Sequence, residues 1–347
     1  MNRYWTVAEG PLEGLPNPGH FALREAPIPT PGPGQALSRT LYVSLDPYQW
    51  GYRQRTRPGA VWHARTVSQV IDSRMDGFAA GDLVFNINGW AEYGLMGEGI
   101  DRPAYMVPRR LDPALGRISH AVGVLGMLGL TAYAGMLLLA DPQAGETAVV
   151  SAASGGVGQI AGQLARLRGA RVVGIAGAAE KVRFVEQELG FEACVSHRSP
   201  TFAEDLRDAC HAGVDVYFEN VGGAVFDAVL PEFNPGARMT ICGLIAHYGE
   251  TGDARAALMK RGERVFHERG VKMNNLFVGD FVAEHEARFL AEMSAWVADG
   301  KVRYREDIRQ GFDTLPAVFA EMMRGGNFGK TLVQVSADPT EVSPRPA

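Results

Sequence analysis

The segment Val149-Val-Ser-Ala-Ala-Ser-Gly155-Gly156-Val-Gly158 carries the strongest chemical signal in the sequence. A short apolar run enters a glycine-rich turn, and an amphipathic segment begins at once. Glycines let the main chain approach a pyrophosphate closely. The first turn of a helix offers unpaired N–H groups and the positive end of its dipole. Ser154, Gly155, Gly156, Val157 and Gly158 are therefore candidates to line the phosphates of a dinucleotide. A third glycine, Gly158, also lets helix and strand pack closely.

The next apolar run distinguishes between dinucleotides. Enzymes that use NAD place an Asp or Glu at the end of the second strand, where it binds the ribose 2′-hydroxyl. Here the run ends Gly174-Ile-Ala-Gly177-Ala-Ala, without an acid, and Lys181 follows within one helical turn. A cation there suits a 2′-phosphate, so Gly177 and Lys181 favour NADP(H) over NAD(H).

Other chemistries lack their residues. None of the five lysines (181, 260, 272, 301 and 330) has a tyrosine four positions before it, which excludes the Tyr-x-x-x-Lys pair of short-chain reductases. No cysteine precedes Cys194, and His20, His63 and His120 stand in no Gly-His-Glu context, so no metal site is expected. A Gly-x-Ser-x-Gly elbow is also missing. Hydride transfer without a metal remains, with a protein hydroxyl such as a tyrosine's to polarise an oxygen as charge develops on it.

These residues need a scaffold, and 347 residues are enough for two domains. The first 120 are rich in Pro, Gly and short β-prone runs at 35–44, 64–72 and 82–86, separated by turn signals such as Pro29-Thr-Pro-Gly-Pro-Gly34. After about residue 122 the pattern alternates. Helices are expected over 126–139, 155–168, 179–189 and 281–298, and strands over 147–152, 171–176, 193–196, 214–219, 238–242 and 275–278. Alternation at this spacing requires crossovers, and therefore an α/β fold with a doubly wound, parallel six-stranded sheet. Further strand-like runs fall at 302–304 and 331–335, around a helix at 315–324. The expected domains are 1–122 completed by 303–336, then 123–302, with a flexible polar tail at 337–347.

A net charge of −5 without a basic block argues against nucleic acid or a membrane surface as partner. The longest apolar stretch, 121–140, is broken by four glycines and reads as a buried helix. The opening residues lack the apolar core of a signal peptide, so a cytoplasmic protein is expected. Cys194, Cys210 and Cys242 fit neither a disulfide framework nor a metal clamp, and read as reduced thiols.

Taken together, the motifs resemble the zinc-independent medium-chain reductases, in particular the leukotriene B4 dehydrogenase, prostaglandin reductase and alkenal double-bond reductase group. The resemblance runs through Tyr42-Val-Ser-Leu-Asp-Pro-Tyr48, Gly126-Met-Leu-Gly-Leu-Thr-Ala-Tyr133, the 150–158 turn, Asp215-Val-Tyr-Phe-Glu-Asn-Val-Gly-Gly223, Ile241-Cys-Gly-Leu-Ile-Ala-His-Tyr248 and Asn327-Phe-Gly-Lys330. It implies a GroES-like β-rich domain beside a Rossmann domain, a homodimer, and NADPH-dependent reduction of the C=C bond of α,β-unsaturated aldehydes and ketones. It also implies that Lys181 holds the 2′-phosphate and that Met127, Asn220, Cys242 and Asn327 surround the nicotinamide half. Tyr248 would donate a hydrogen bond to the substrate oxygen and also contact the cofactor, and Tyr48 would face substrate. Where the group usually has Tyr-Lys, this chain has His197-Arg198, and His197 becomes a candidate contact to the 2′-phosphate. Gln49-Trp50 replaces the usual Met-Arg, which makes Trp50 a candidate substrate contact. Two other readings stay open: a zinc-free quinone oxidoreductase on the same fold, and a catalytically silent NADPH-binding sensor.

Overall fold

A computed structural model describes residues 1–341. The chain divides into two compact units: 1–126 with 307–327 and 331 onward, and 127–306 with 328–330.

The second unit is built on six strands: β1 (Thr147–Ser151), β2 (Arg171–Ala176), β3 (Ala193–Ser196), β4 (Val214–Glu219), β5 (Phe233–Ile241) and β6 (Lys272–Asn275). Their order across the sheet is 3-2-1-4-5-6, and every pairing is parallel. All five residues of β1 are buried, as expected of a strand covered on both faces. The helix Gly158–Leu167 follows β1 directly and has only Arg166 and Leu167 exposed. Its Gly162 has no room for a β-carbon, because the Phe191 ring lies against the backbone there. The core on one side of the sheet gathers Val149, Val173, Val214, Phe226, Phe233 and Ile241.

Several elements differ from the sequence expectation, each for a local reason. The helices expected over 126–139 and 179–189 are present, but each widens midway, so that Asp141 N–H reaches Met136 O and Leu189 N–H reaches Phe184 O. The last strand is Lys272–Asn275 rather than 275–278, because its partners are Arg238 to Ile241 on β5. Residues 302–304 form no strand. Two buried glutamines of the helix after β1 hold this stretch: Gln163 bonds both the carbonyl and the N–H of Arg303, and Gln159 does the same for Arg305. Side-chain amides thus replace a neighbouring strand.

In the first unit the ten-residue strand Gln35–Ser44 pairs antiparallel with Thr66–Ser73, Tyr93–Gly97 and Lys330–Gln334. Leu83–Asn86, Arg109–Arg110 and Glu306–Gln310 complete this seven-stranded sheet. An aromatic core of Phe21, Trp50, Trp62, Trp90 and Phe319 is buried in this unit. The tail expected to be flexible at 337–347 is anchored at its start. Asp338 is buried and accepts a 2.8 Å hydrogen bond from the Tyr42 hydroxyl; residues 342–347 lie outside the described residues. No helix among the described residues is long and apolar enough to cross a membrane.

Candidate active site

The candidate residues of the second unit collect at the carboxyl ends of its parallel strands. The strand order reverses at β1, and in open α/β sheets this is where a ligand crevice forms. Ser151 ends β1 and is followed by Ala152, whose φ of +49° is the left-handed conformation that most side chains avoid. Gly155 N–H closes the turn on Ala152 O at 2.9 Å, and Ala153 N–H ties it to Ile175 O on β2 at 2.9 Å. At Gly158 a β-carbon would stand 2.3 Å from Ala152 O, so only glycine lets the helix start this close to the turn. At Gly156 it would meet Leu128 Cδ2 at 2.7 Å and Lys330 Cδ at 3.2 Å. The resulting surface is glycine backbone at a helix N-terminus, the arrangement that accommodates a pyrophosphate.

At the end of β2 the Ser196 hydroxyl binds Gly177 O at 2.7 Å, which joins the ends of β2 and β3. A β-carbon on Gly177 would lie 3.1 Å from His197 Nε2 and 3.2 Å from Arg198 Nε, so both side chains lean across this glycine. The His197 pKa falls below its ordinary value through partial burial, then through Arg198 and Lys181. His197 therefore feels two cations, Arg198 and Lys181, where an NAD-binding sheet carries an acid. Arg198 is the member that the sequence did not single out.

The end of β4 leads into Asn220, whose side-chain amide donates to Ser151 O at 2.7 Å. Beyond β5, Cys242 N–H and Gly243 N–H both bond Glu219 O, at 2.9 and 3.1 Å. Burial, and next the Glu219 carboxylate, push the Cys242 thiol up to about 12, so it is neutral at pH 7. A single turn, Ile245–His247, carries the chain to the half-buried Tyr248, whose hydroxyl lies 3.2 Å from the point a β-carbon on Gly243 would occupy. The structure thus brings Ser154, Gly155, Gly156, Val157, Gly158, Gly177, Lys181, His197, Asn220, Cys242 and Tyr248 to one edge of one sheet. Met127 is buried at the start of the helix whose next residue, Leu128, packs against the turn.

Tyr48, Trp50 and Asn327 belong to the other unit. Tyr48 is half-buried and stacks beneath the Arg65 guanidinium, which lies 5.2 Å from its ring centre and is paired with Asp46 at 3.0 Å. Burial pushes the Tyr48 phenol up to about 12 against the opposing pull of Arg65, so it remains a hydrogen-bond donor at neutral pH. Trp50 corrects the sequence reading. It is fully buried, its indole donates to Gly14 O at 2.8 Å, and its ring packs among His20, Phe21 and Trp62. No surface of it is left for a substrate.

Among the described residues, no group of three or more His, Cys, Asp or Glu side chains could hold a metal ion.

Comparison with known proteins fits this geometry. Residues 156–293 match the family described as zinc-binding dehydrogenase, and residues 3–100 the N-terminal domain of oxidoreductase. The NADPH-dependent curcumin reductase of Escherichia coli K12 is 40% identical, over 97% of this chain and 98% of its own. Prostaglandin reductase 1 of Mus musculus is 34% identical, over 95% and 98%. The crystal structure of CurA in complex with NADPH from Vibrio vulnificus superposes with a TM-score of 0.84 at 39% identity, covering 97% of this chain and all of that one. The chain belongs to the medium-chain dehydrogenase/reductase family, in the group that holds the curcumin and prostaglandin reductases, with its GroES-like and Rossmann folds.

Proposed function

We propose that the protein is an NADPH-dependent reductase of the C=C bond of α,β-unsaturated aldehydes and ketones. The observation that carries the cofactor reading is the set of Lys181, His197 and Arg198 around Gly177, with no acid at the end of β2. A 2′-phosphate is the dinucleotide group that such a set favours. The turn fits the rest: Gly155, Gly156 and Gly158 would hold the pyrophosphate, with Asn220 and Cys242 toward the nicotinamide half and Asn327 as a further contact. NADPH supplies a hydride when bound. The activity named for the relatives supports its delivery to the β-carbon of an enone.

Tyr248 presents a phenol hydroxyl at the edge of this site. It donates a hydrogen bond to the substrate carbonyl and strengthens it as negative charge builds on that oxygen, after which a proton adds at the α-carbon. Tyr48 is a second phenol proposed to contact the substrate. The strand Lys272–Asn275 ends the parallel sheet, and this open edge supports a homodimer, which light scattering would test.

The test is a panel of trans-2-alkenals and enones followed by NADPH absorbance, with NADH and a quinone as controls. Oxidation of NADPH by the enones, and far less by the quinone, is the expected result. Turnover of the quinone alone would assign the protein to quinone reduction. NADPH binding without turnover of either substrate would make it a sensor.

A further inference from the structure

Glu219 ends β4 with no solvent exposure, in a strand whose other residues are mostly apolar. Both oxygens of its carboxyl group accept hydrogen bonds. Oε1 accepts the Ser151 hydroxyl at 2.7 Å and the Val221 N–H at 2.6 Å, while Oε2 accepts the Tyr217 hydroxyl at 2.7 Å. The Gly222 N–H adds a further bond. Burial raises the carboxyl pKa above its ordinary value, and these donors offset only part of that rise. The backbone N–H groups can only donate, so the carboxyl group serves them as an acceptor.

Ser151 extends the connection. Its hydroxyl proton goes to Glu219 because its own oxygen accepts the Asn220 N–H at 2.7 Å. Its carbonyl accepts the Asn220 side chain at 2.7 Å, and the next residue opens the phosphate-binding turn. From the other end of Glu219, its backbone carbonyl holds the N–H groups of Cys242 and Gly243. One residue therefore ties the ends of β1, β4 and β5.

We propose that Glu219 is a positioning residue for the cofactor. Its buried carboxylate, acting through Ser151 and the Val221 N–H, holds the phosphate-binding turn and the Asn220 loop in one register, so that both ends of the dinucleotide are received together. This rests on the reading of the turn as the NADPH site. A purely structural carboxylate would lower the melting temperature when replaced and leave cofactor affinity unchanged in the folded protein.

Glu219→Gln keeps the shape but turns an amide N–H₂ toward groups that already donate. Ser151→Ala removes only the link to the turn. The experiment is a fluorescence titration of wild type and both variants with NADPH and with NADH, alongside thermal melts. The expected result is Kd for NADPH raised about tenfold in each variant, with the NADPH-to-NADH preference unchanged because Lys181 is untouched. The double variant should be little worse than either single one, since both cut the same connection. Folded Glu219→Gln with wild-type Kd overturns the proposal. If that variant does not fold, wild-type Kd in Ser151→Ala overturns it instead. Wild-type protein that fails to bind NADPH would overturn the functional reading itself, and this inference with it.

Discussion

The Tyr248 hydroxyl lies 3.2 Å from the position a β-carbon on Gly243 would take, so the phenol rests against a backbone that leaves space for it. Gly243 is in turn pinned to Glu219 O through its N–H. The tyrosine hydroxyl therefore sits beside a backbone segment tied to the end of β4. Tyr248→Phe should lower kcat/KM for enones roughly 100-fold, with NADPH affinity nearly unchanged, if the hydroxyl donates in the transition state. Steady-state kinetics on one enal decide it; wild-type turnover removes Tyr248 from the reaction. Gly243→Ala, which crowds the hydroxyl, should show a smaller loss in the same direction.

Lys181 stands in the first turn after β2, with the basic pair His197-Arg198 across Gly177. Lys181→Ala should raise the KM for NADPH roughly 10- to 150-fold, the equivalent of about 1.5–3 kcal/mol for a lost charged contact, and lower kcat much less. The KM for NADH should hardly change. An unaltered preference for NADPH over NADH would remove the 2′-phosphate contact.

His197 makes the same site sensitive to pH. Its pKa is held below the ordinary value by partial burial, then by Arg198 and Lys181, so the ring is neutral at pH 7 in the free protein. A phosphate beside it favours the protonated form and raises that pKa. Binding then takes up a proton, and affinity for NADPH should rise as pH falls from 8 toward 6.5. The phosphate titrates near this range too, so the comparison is with His197→Gln, whose profile should be flatter. Superimposable profiles for the two proteins would leave His197 outside the site.

The glycine turn of the candidate site was legible in the sequence because its signal is local. A buried strand, a glycine turn and a helix start occupy one continuous stretch, and six strands recur at crossover spacing. Trp50 was not legible. It sits on a one-turn helix, Tyr48–Gly51, too short for periodicity to say which residue faces inward, and the core that claims it comes from Phe21, Trp62 and Phe319. Glu219 was equally hidden. Its partner Ser151 is 68 residues away in the chain and is brought to it only by the parallel pairing of β1 with β4. The stretch 302–304 failed as a strand because the groups that satisfy its backbone are glutamine side chains, which no propensity encodes.

The burial of Trp50 makes its own prediction. Trp50→Ala would empty a fully buried site and should cost about 3–5 kcal/mol, read as a fall in the unfolding midpoint in urea. Trp50→Phe keeps most of the packing but loses the 2.8 Å bond to Gly14 O, and should cost less. Neither change should alter the KM for an enal in protein that remains folded. A large rise in KM with normal stability would restore Trp50 to the substrate site.

Two half-buried histidines make the fold sensitive to acid. Burial pushes His63 and His120 down to about 4, with Arg65 and Arg117 respectively adding to the shift and Asp46 opposing it at His63. In the unfolded chain both rings titrate near 6.5. Between those values the unfolded state binds more protons, so stability rises with pH, and what is present at pH 7 is lost as pH falls through 6.5 toward 4. At pH 5 the loss reaches up to about 2 kcal/mol for each ring. Urea denaturation at pH 7 and pH 5 should show it, and His63→Gln and His120→Gln should each lose less between the two pH values than wild type does. Equal acid losses in all three proteins would mean that these rings are protonated at no cost to the fold.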